Sequence, residues 1–384
     1  MSATSFFYLP RVSVLGAGSL NEIGEQASRL ARRFLLVTDS YLASTEVTSR
    51  IRCLLDERQI DLVIYDKVQP NPTLESVYEA HSLYAGTECG GIISLGGGSA
   101  HDCAKAVAVL AANPAPIEQY AGVDRFPNQG APVITVNTTA GTGSEITNCF
   151  LLTDTKTNTK LIFEGVHALA NVAIDDPELM LTLPRELTAA TGMDALTHAI
   201  ECYVSKASFK LTDELARIAV QYIFRSLPAA VADPDNLDAR DDMVYGQYMA
   251  GMAFGNGGVG LVHATAHALG GLYNLPHGLL NAILLPHVMR FNKRGCAGRY
   301  AELHTAIAPL KEKVQSARGS ADAFISEVEQ LSRKISTDIP LHKLGVREED
   351  FEAVAEKALK DACCDTNPVC PVRSDIIGIL TSAF

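Results

Sequence analysis

Five side chains in the second half of the chain have the types and spacing of a metal site. Asp194 and His198 are four residues apart, His263 and His267 are four residues apart, and His277 follows closely. On an α-helix an i, i+4 pair lies on one face. One carboxylate with three imidazoles is enough to hold a divalent cation, and a catalytic cation must keep a coordination position open. The residues alone leave open which four bind; the remaining histidine is then a candidate to relay a proton.

Far upstream, Gly96-Gly97-Gly98-Ser99 follows the apolar run 91–95 and precedes a helical pattern. Glycines allow the backbone to approach a phosphate closely, and the N-terminus of a helix offers free N–H groups. This favours a nucleotide-binding turn, although the segment has neither the Gly-x-Gly-x-x-Gly pattern nor the end of a P-loop. The alternative is a βα turn that binds nothing.

Two other segments at strand ends support a nucleotide site. Asp39 ends a predicted strand, where a carboxylate can accept hydrogen bonds from a ribose diol and would repel a 2′-phosphate, which favours NAD over NADP. Its alternative role is a helix cap, and the two are compatible. The segment 137–145, rich in threonine and glycine, follows another strand and suits further cofactor contacts. Lys105 and Lys160 could pair with phosphates or remain solvated.

The elements that must position these residues differ between the two halves. In the first half, strand-like runs alternate with amphipathic stretches, which predicts βαβ units on a parallel sheet. The strands are expected at 34–39, 61–65, 91–95 and 132–136. In the second half the pattern is helical. Those helices are expected at 185–205, 211–227, 238–254, 260–272, 278–292, 298–309, 319–336 and 348–363. We therefore expect an α/β plus all-α protein, with domains at 1–180 and 181–384.

Composition narrows the class of protein. The chain has 384 residues and a net charge of 32 − 44 = −12, which disfavours nucleic acid and anionic membranes as partners. Its nine cysteines are odd in number and form no paired CxxC motifs, which favours reduced thiols. No apolar run approaches the roughly 20 residues of a transmembrane helix, and the start does not resemble a signal peptide. We expect a cytoplasmic protein.

In combination these motifs resemble the iron-containing (group III) alcohol dehydrogenase family. The resemblance runs nearly end to end, and it is carried by the segments 96–105, 138–145, 188–201, 263–267, 274–278 and 360–368, with Asn71-Pro72-Thr73. It is strongest to the NAD-dependent branch that includes lactaldehyde reductase, 1,3-propanediol dehydrogenase and bacterial ethanol dehydrogenases. The family implies a Rossmann-like nucleotide-binding domain, an all-helical metal-binding domain of the dehydroquinate synthase-like type, and a homodimer.

The resemblance also implies roles for individual residues. Metal ligands are implied at Asp194, His198, His263 and His277, with His267 beside the nicotinamide as the catalytic residue. NAD contacts are implied at Asp39, Asn71, Gly97, Gly98, Ser99, Asp102, Thr138, Thr139, Thr147, Lys160 and Leu179. The implied ion is Fe²⁺, with Zn²⁺ as the alternative. Candidates for the wall of a substrate pocket are Asn148, Cys149, Phe254 and Cys363; their alternative role is core packing.

The expected activity is hydride transfer between NAD(H) and a short-chain primary alcohol, diol or aldehyde. A metal-dependent lyase on the related dehydroquinate synthase-like scaffold is an alternative. An acidic substrate would call for lysine or arginine near the metal, and the segment 255–281 contains neither. A regulatory relative without catalytic activity is a second alternative, which the intact set of candidate ligands disfavours.

Overall fold

The structure is a computed structural model that describes residues 4–114, 116–157, 159–308 and 320–384. The chain divides into two compact units. One runs from Tyr8 to Thr182, and the other comprises Leu183–Phe384 together with the N-terminal segment that ends at Phe7. None of the described helices is long and apolar enough to cross a membrane.

The first unit contains a six-stranded parallel sheet of order β1-β9-β6-β4-β2-β3. Its strands are β1 (Val12–Leu15), β2 (Arg33–Val37), β3 (Asp61–Tyr65), β4 (Gly91–Gly96), β6 (Val133–Asn137) and β9 (Val172–Asp175). A second sheet of order β5-β8-β7 consists of β5 (Gly122–Val123), β7 (Cys149–Asp154) and β8 (Thr159–Glu164). The four strands expected from sequence are confirmed as β2, β3, β4 and β6, while β1, β5, β7, β8 and β9 were not anticipated.

Continuous apolar runs form the central strands because helices cover the sheet on both sides. Successive residues of a strand point to opposite faces. Accordingly, Leu35 and Val37 join one buried apolar cluster, and Phe34 and Leu36 join another. The helices of this unit are α1 (Ile23–Ser28), α2 (Ser40–Ala43), α3 (Glu46–Asp56), α4 (Leu74–Gly86) and α5 (Gly98–Ala112).

Among its described residues the second unit is helical and contains no strand. Its helices are α6 (Arg185–Val204), α7 (Lys210–Ala232), α8 (Leu237–Gly257), α9 (Leu261–Tyr273), α10 (His277–Ile307), α11 (Ala321–Lys334), α12 (Phe351–Leu359), α13 (Cys363–Thr366) and α14 (Arg373–Ser382). Helix α6 is buried along almost its whole length, and it packs against α7, α8 and α10. The expected fold class, a parallel α/β half followed by a helical half, is confirmed.

The two helices expected at 278–292 and 298–309 are confirmed as the two halves of α10, which meet at a kink at Cys296, where the backbone leaves helical geometry (φ −140°, ψ 25°). Two other expectations about the helices need correction. The helix expected at 348–363 is broken, because α12 ends at Leu359 and a turn leads into α13. Helix α14 was not anticipated. Residues 309 and 319, the ends of two expected helices, lie outside the described residues.

Candidate functional site

Three helices of the second unit carry the five candidate metal-site residues. Asp194 and His198 lie one turn apart on α6, His263 and His267 lie one turn apart on α9, and His277 is the first residue of α10. The first four are at most 9% exposed. Asn274, which ends α9 in the left-handed conformation (φ 52°), turns the chain so that α10 begins beside α9.

Asp194, His263 and His277 converge on one point. Asp194 Oδ1 lies 4.0 Å from His263 Nε2 and 3.7 Å from His277 Nε2. Two atoms that each bind one ion at about 2.0–2.2 Å cannot lie more than about 4.4 Å apart. Both distances satisfy that limit, and the ligand atoms of the three residues all lie within 4.8 Å of one another. This donor set of one carboxylate and two imidazoles therefore fits a divalent cation.

Glu201 orients the His263 ring. The Glu201 carboxylate is buried; its Oε2 lies 2.6 Å from His263 Nδ1, and its two oxygens accept hydrogen bonds from the backbone N–H groups of Gly260 (3.0 Å) and Val262 (2.7 Å). A carboxylate can only accept, so the imidazole proton belongs on Nδ1 and the lone pair of Nε2 is directed at Asp194. Burial lowers the pKa of His263, and the stronger combined effect of Glu201 and Asp194 raises it above the ordinary histidine value.

Asn281 lies among the same three ligand atoms. Its Nδ2 is 2.7 Å from Asp194 Oδ1 and 3.1 Å from the Nε2 atoms of both His263 and His277. An amide nitrogen has two hydrogens and cannot donate to three acceptors. Its Oδ1 is buried and has no hydrogen-bond partner among the described residues. Three acceptors directed at one point form an arrangement that a cation satisfies better than an amide.

His198 lies beside this cluster and stacks on two rings. Its ring centroid is 4.0 Å from that of Phe254 and 4.6 Å from that of His263. Its ligand atoms are not within the 4.8 Å set formed by the other three residues. The structure thus groups three of the four implied ligands, and the role of His198 stays a prediction. Phe254, a candidate for the pocket wall, packs flat on His198.

His267 points to a different partner. Its Nδ1 lies 2.9 Å from Asp361 Oδ2, and the backbone N–H of Cys363 donates to Asp361 Oδ1 at 2.9 Å. Burial favours protonation of Asp361, but the interactions with His267 and Cys363 outweigh it and hold the pKa of this carboxyl well below its ordinary value. Burial and the neighbouring Asp361 raise the pKa of the Cys363 thiol well above its usual range.

In the first unit, the implied cofactor residues begin at the switch point of the sheet. After β2 the chain continues to β3, at one edge of the sheet. After β4 it continues to β6, which lies toward the opposite edge. Ligands of open α/β sheets bind at the point where two such connections run in opposite directions. Thr38 after β2 donates from Oγ1 to Leu95 O of β4 at 2.8 Å. The next residue, Asp39, caps α2: its Oδ1 accepts from the N–H groups of Tyr41 and Leu42, both at 2.9 Å. Capping therefore uses only one oxygen of this carboxylate.

The glycine turn connects β4 directly to α5. Gly97 is the N-cap of α5 and no side chain caps the helix, so backbone N–H groups at its start, including those of Gly98 and Ser99, can face a ligand. A Cβ on Gly97 would lie 2.8 Å from Thr139 Oγ1, and one on Gly98 would lie 3.1 Å from Thr142 Cγ2. The turn therefore packs closely against the threonine-rich loop after β6. This cradle fits the pyrophosphate of a dinucleotide.

Lys105 is neither solvated nor available for phosphate, and that expectation was wrong. Its side chain is fully buried, and Nζ donates to Thr147 O (2.9 Å), Cys149 O (2.8 Å) and Ser144 Oγ (3.2 Å). Burial lowers the pKa of Lys105. Asp102 accepts from Ser144 Oγ at 2.7 Å and from Leu151 N at 3.0 Å, and burial raises the pKa of this carboxyl. These contacts connect α5 to the loop before β7 and to the start of that strand.

The other implied cofactor and pocket residues of the first unit lie in several environments. Lys160 Nζ donates to Asn71 Oδ1 at 2.9 Å. Thr138 is buried, and its N–H donates to Gly96 O. Leu179 belongs to one of the apolar clusters that flank the sheet. Asn148 helps to line a cavity of about 380 Å³, and burial raises the pKa of the adjacent Cys149 thiol to about 11.

Three residues of the candidate site, Glu201, Asn281 and Asp361, were not predicted from the sequence. Glu201 is three residues after His198 on α6, and Asn281 is four residues after His277 on α10, so helical spacing could have indicated both. Asp361 is 94 residues from His267, and no local signal connects them.

Comparison with known proteins agrees with this geometry. Sequence models described as iron-containing alcohol dehydrogenase and as the C-terminal part of the Fe-containing alcohol dehydrogenase family match residues 10–177 and 188–384. The 1,3-propanediol dehydrogenase of Citrobacter freundii is 41% identical over all of both chains. The NAD-dependent methanol dehydrogenase of Bacillus methanolicus is 38% identical over 98% of this chain and 99% of that protein.

Among solved structures, a 1,3-propanediol oxidoreductase superposes with a TM-score of 0.95 at 39% identity, over 100% of both chains. The matches favour neither a lyase nor a protein without catalytic activity, because the relatives are named as dehydrogenases and oxidoreductases. The chain therefore belongs to the iron-containing alcohol dehydrogenase family, whose characteristic activity is that of an alcohol dehydrogenase.

Proposed function

We propose that the protein transfers hydride between NAD(H) and a short-chain primary alcohol, diol or aldehyde at a divalent cation. The observation that carries this proposal is the convergence of Asp194, His263 and His277, with Glu201 directing the lone pair of His263 into the cluster. When bound, the cation supplies a Lewis acid that stabilises negative charge on the substrate oxygen, and NAD supplies the hydride acceptor.

We propose His198 as the fourth ligand, because its ring lies directly against His263. Fe²⁺ is the proposed ion, in line with the family. Zn²⁺ is the alternative, since nitrogen and oxygen donors bind it more tightly than iron.

We propose His267 as the group that moves the proton of the alcohol. Asp361 accepts a hydrogen bond from Nδ1, so Nε2 is left to take up and release a proton. A carboxylate that holds a histidine in one tautomer also stabilises the imidazolium that forms when the proton arrives. Asp361 would therefore act as a positioning residue for His267.

For the cofactor, we propose that the glycine turn takes the pyrophosphate and that Asp39 takes the ribose diol with the oxygen that does not cap α2. A carboxylate at that position disfavours the 2′-phosphate of NADP. The name of the methanol dehydrogenase relative, which is NAD-dependent, supports this choice. The remaining proposed contacts are Asn71, Ser99, Asp102, Thr138, Thr139, Thr147, Lys160 and Leu179.

The substrate is proposed to be small because the named relatives act on methanol and 1,3-propanediol. Phe254 and Cys363 are proposed pocket residues in the helical unit, and Asn148 and Cys149 in the other unit. We further propose a homodimer in the cytoplasm.

The test is anaerobic reconstitution of metal-free protein with Fe²⁺ or Zn²⁺, followed by NADH or NADPH absorbance with acetaldehyde, lactaldehyde and 3-hydroxypropionaldehyde. We expect metal-dependent oxidation of NADH and little with NADPH. His263→Ala should lose both metal and activity, whereas His267→Ala should lose activity but retain metal. The control is His342→Ala, at an exposed histidine, which should retain both. Equal metal loss in the His267 variant would contradict the relay, and full activity of metal-free protein would contradict the whole proposal.

A further inference from the structure

A second group of potential ligand atoms lies beside the Asp194 cluster. The ligand atoms of His267, Asp361 and Cys363 all lie within 4.8 Å of one another, and among the described residues this is the second such set. It offers one imidazole, one carboxylate and one thiol. The Asp194 cluster contains no sulfur. The second set therefore has a softer ligand, and it should favour softer metal ions than the first set does.

A turn between α12 and α13 brings two of the three donors together. The N–H of Cys363 donates to Asp361 Oδ1 at 2.9 Å, and the N–H of Cys364 donates to the Asp361 carbonyl at 3.0 Å. This turn holds the side chains of Asp361 and Cys363 on the same side of the chain. The third donor comes from α9, where His267 Nδ1 lies 2.9 Å from Asp361 Oδ2.

The geometry and donor chemistry suit a thiophilic ion. The 2.9 Å between His267 Nδ1 and Asp361 Oδ2 is a hydrogen-bond distance, and two tetrahedral ligands with bonds of about 2.0–2.2 Å lie about 3.3–3.6 Å apart, so an ion that replaces the shared proton needs only a small outward shift of the two side chains. Sulfur, nitrogen and oxygen together are typical zinc donors, and three protein ligands leave a position for water. His267 is 9% exposed and the Asp361 side chain 12% exposed, so an ion could enter and would still be largely shielded.

We propose that His267, Asp361 and Cys363 form a second cation site, selective for thiophilic divalent ions such as Zn²⁺ or Cd²⁺. Binding forms a sulfur–metal and a nitrogen–metal bond. The thiol proton leaves to solvent, and the proton on His267 Nδ1 is replaced by the ion while Nε2 takes up a proton from solvent, so no oxidant or reductant is required.

The second site is close to the first. The His267 ring centroid lies 6.0 Å from that of His263 and 5.3 Å from that of His277. Paired metal sites with ions about 3.5–4 Å apart are common in enzymes, so this proximity does not exclude double occupancy. Repulsion between two divalent ions does oppose it. We therefore expect the second ion to bind more weakly than the first and to be removable while the first remains.

Occupancy of the second site has a consequence that rests on the proposed function. An ion that binds His267 competes with the proton for the imidazole, so the relay is blocked. Excess zinc should then inhibit the enzyme reversibly, whereas the binding of the ion itself is independent of that activity.

The experiment is a titration of iron-loaded protein with Cd²⁺ under anaerobic conditions, followed by the thiolate-to-metal charge-transfer absorbance in the ultraviolet. Cys363→Ser and Asp361→Asn are the test variants, because both substitutions are nearly isosteric. The matched control is Cys364→Ser, the neighbouring cysteine, which is buried and donates instead to the Ala358 carbonyl at 3.0 Å. Protein-bound iron and cadmium are measured after each titration.

We expect wild type and Cys364→Ser to show one cadmium per chain with a thiolate band, while iron is retained. The band should disappear in Cys363→Ser, and the affinity should fall at least tenfold in Asp361→Asn. An unchanged band in Cys363→Ser, or cadmium bound only as iron is released, would overturn the second site. A Cd²⁺ site that forms without inhibiting the enzyme would contradict the relay role of His267 and leave the second site intact.

Discussion

Replacement of Glu201 by glutamine tests whether the metal centre depends on one buried carboxylate. Glu201 accepts from His263 Nδ1 at 2.6 Å and from the N–H groups of Gly260 and Val262. A glutamine has one acceptor and one donor, so its NH₂ group must face either a backbone N–H or the imidazole. If the NH₂ group faces the backbone, it lies against a buried N–H group, and two donors then face each other without an acceptor. Facing His263 moves the imidazole proton to Nε2, the atom that must bind the cation.

Glu201→Gln should lower both the metal affinity and the folding stability. Loss of a carboxylate that orients a ligand histidine weakens metal binding by about 10- to 100-fold, or about 1.4–2.7 kcal/mol. The buried N–H group left without an acceptor costs about 1–3 kcal/mol of folding stability even without metal. The control is Glu302→Gln, because Glu302 is exposed, accepts from the Tyr203 hydroxyl at 2.6 Å and does not belong to the Asp194 cluster.

The assays are competition with a chelator for metal affinity and denaturant unfolding of metal-free protein for stability. We expect Glu201→Gln to have a lower metal affinity and a lower stability than wild type, and Glu302→Gln to match wild type in both. If Glu201→Gln loses stability but binds metal as tightly as wild type, Glu201 caps α9 and does not set the tautomer of His263.

Three further predictions concern other parts of the molecule. Gly97→Ala should weaken NADH binding about tenfold or more, as measured by fluorescence titration, because its Cβ would lie 2.8 Å from Thr139 Oγ1. Lys105→Met should lower the free energy of unfolding by about 1–3 kcal/mol for each buried carbonyl left without a donor. Asp361→Asn should lower stability above roughly pH 4. The folded-state pKa of Asp361 lies below the unfolded value of about 3.9, so its contribution is present above that value and is lost as the pH falls.

Each of these has a result that would contradict it. Equal NADH affinities in Gly97→Ala and in Gly86→Ala, where an added Cβ meets nothing within 4 Å, would exclude a close approach of the turn to the cofactor. A Lys105→Met protein as stable as wild type would mean that the loop 144–149 finds other donors. A stability difference between Asp361→Asn and wild type that grows as the pH falls would reverse the assigned direction of the pKa shift.

Much of the fold was determined by local patterns in the sequence. Apolar runs such as 91–95 and 132–136 form central strands because both faces of the sheet are covered. The glycines that follow β4 mark the turn into α5, and helical spacing placed Asp194 with His198 on one helix. The short strands β7 and β8 were not predicted because each has an apolar run of only three or four residues, with polar residues at its ends.

The tertiary structure decided which residue each histidine contacts. His263 and His267 share a face of α9, yet one meets Glu201 and Asp194 while the other meets Asp361. Helical spacing reports only which residues share a face, because it depends on backbone geometry within about four residues. The partner of each residue depends on which helices pack together, and that is set by contacts far apart in the chain.

The same reason explains Lys105 and Asp361. By its type, Lys105 belongs at the surface or on a phosphate, but the packing of α5 against the loop 144–149 buries it beneath three acceptors. Asp361 follows a helix with nothing nearby in sequence to indicate a histidine. The sequence by itself determined the elements and the donors they carry, and only the tertiary structure decided which donors meet, because a contact across 94 residues depends on the packing of the whole helical unit.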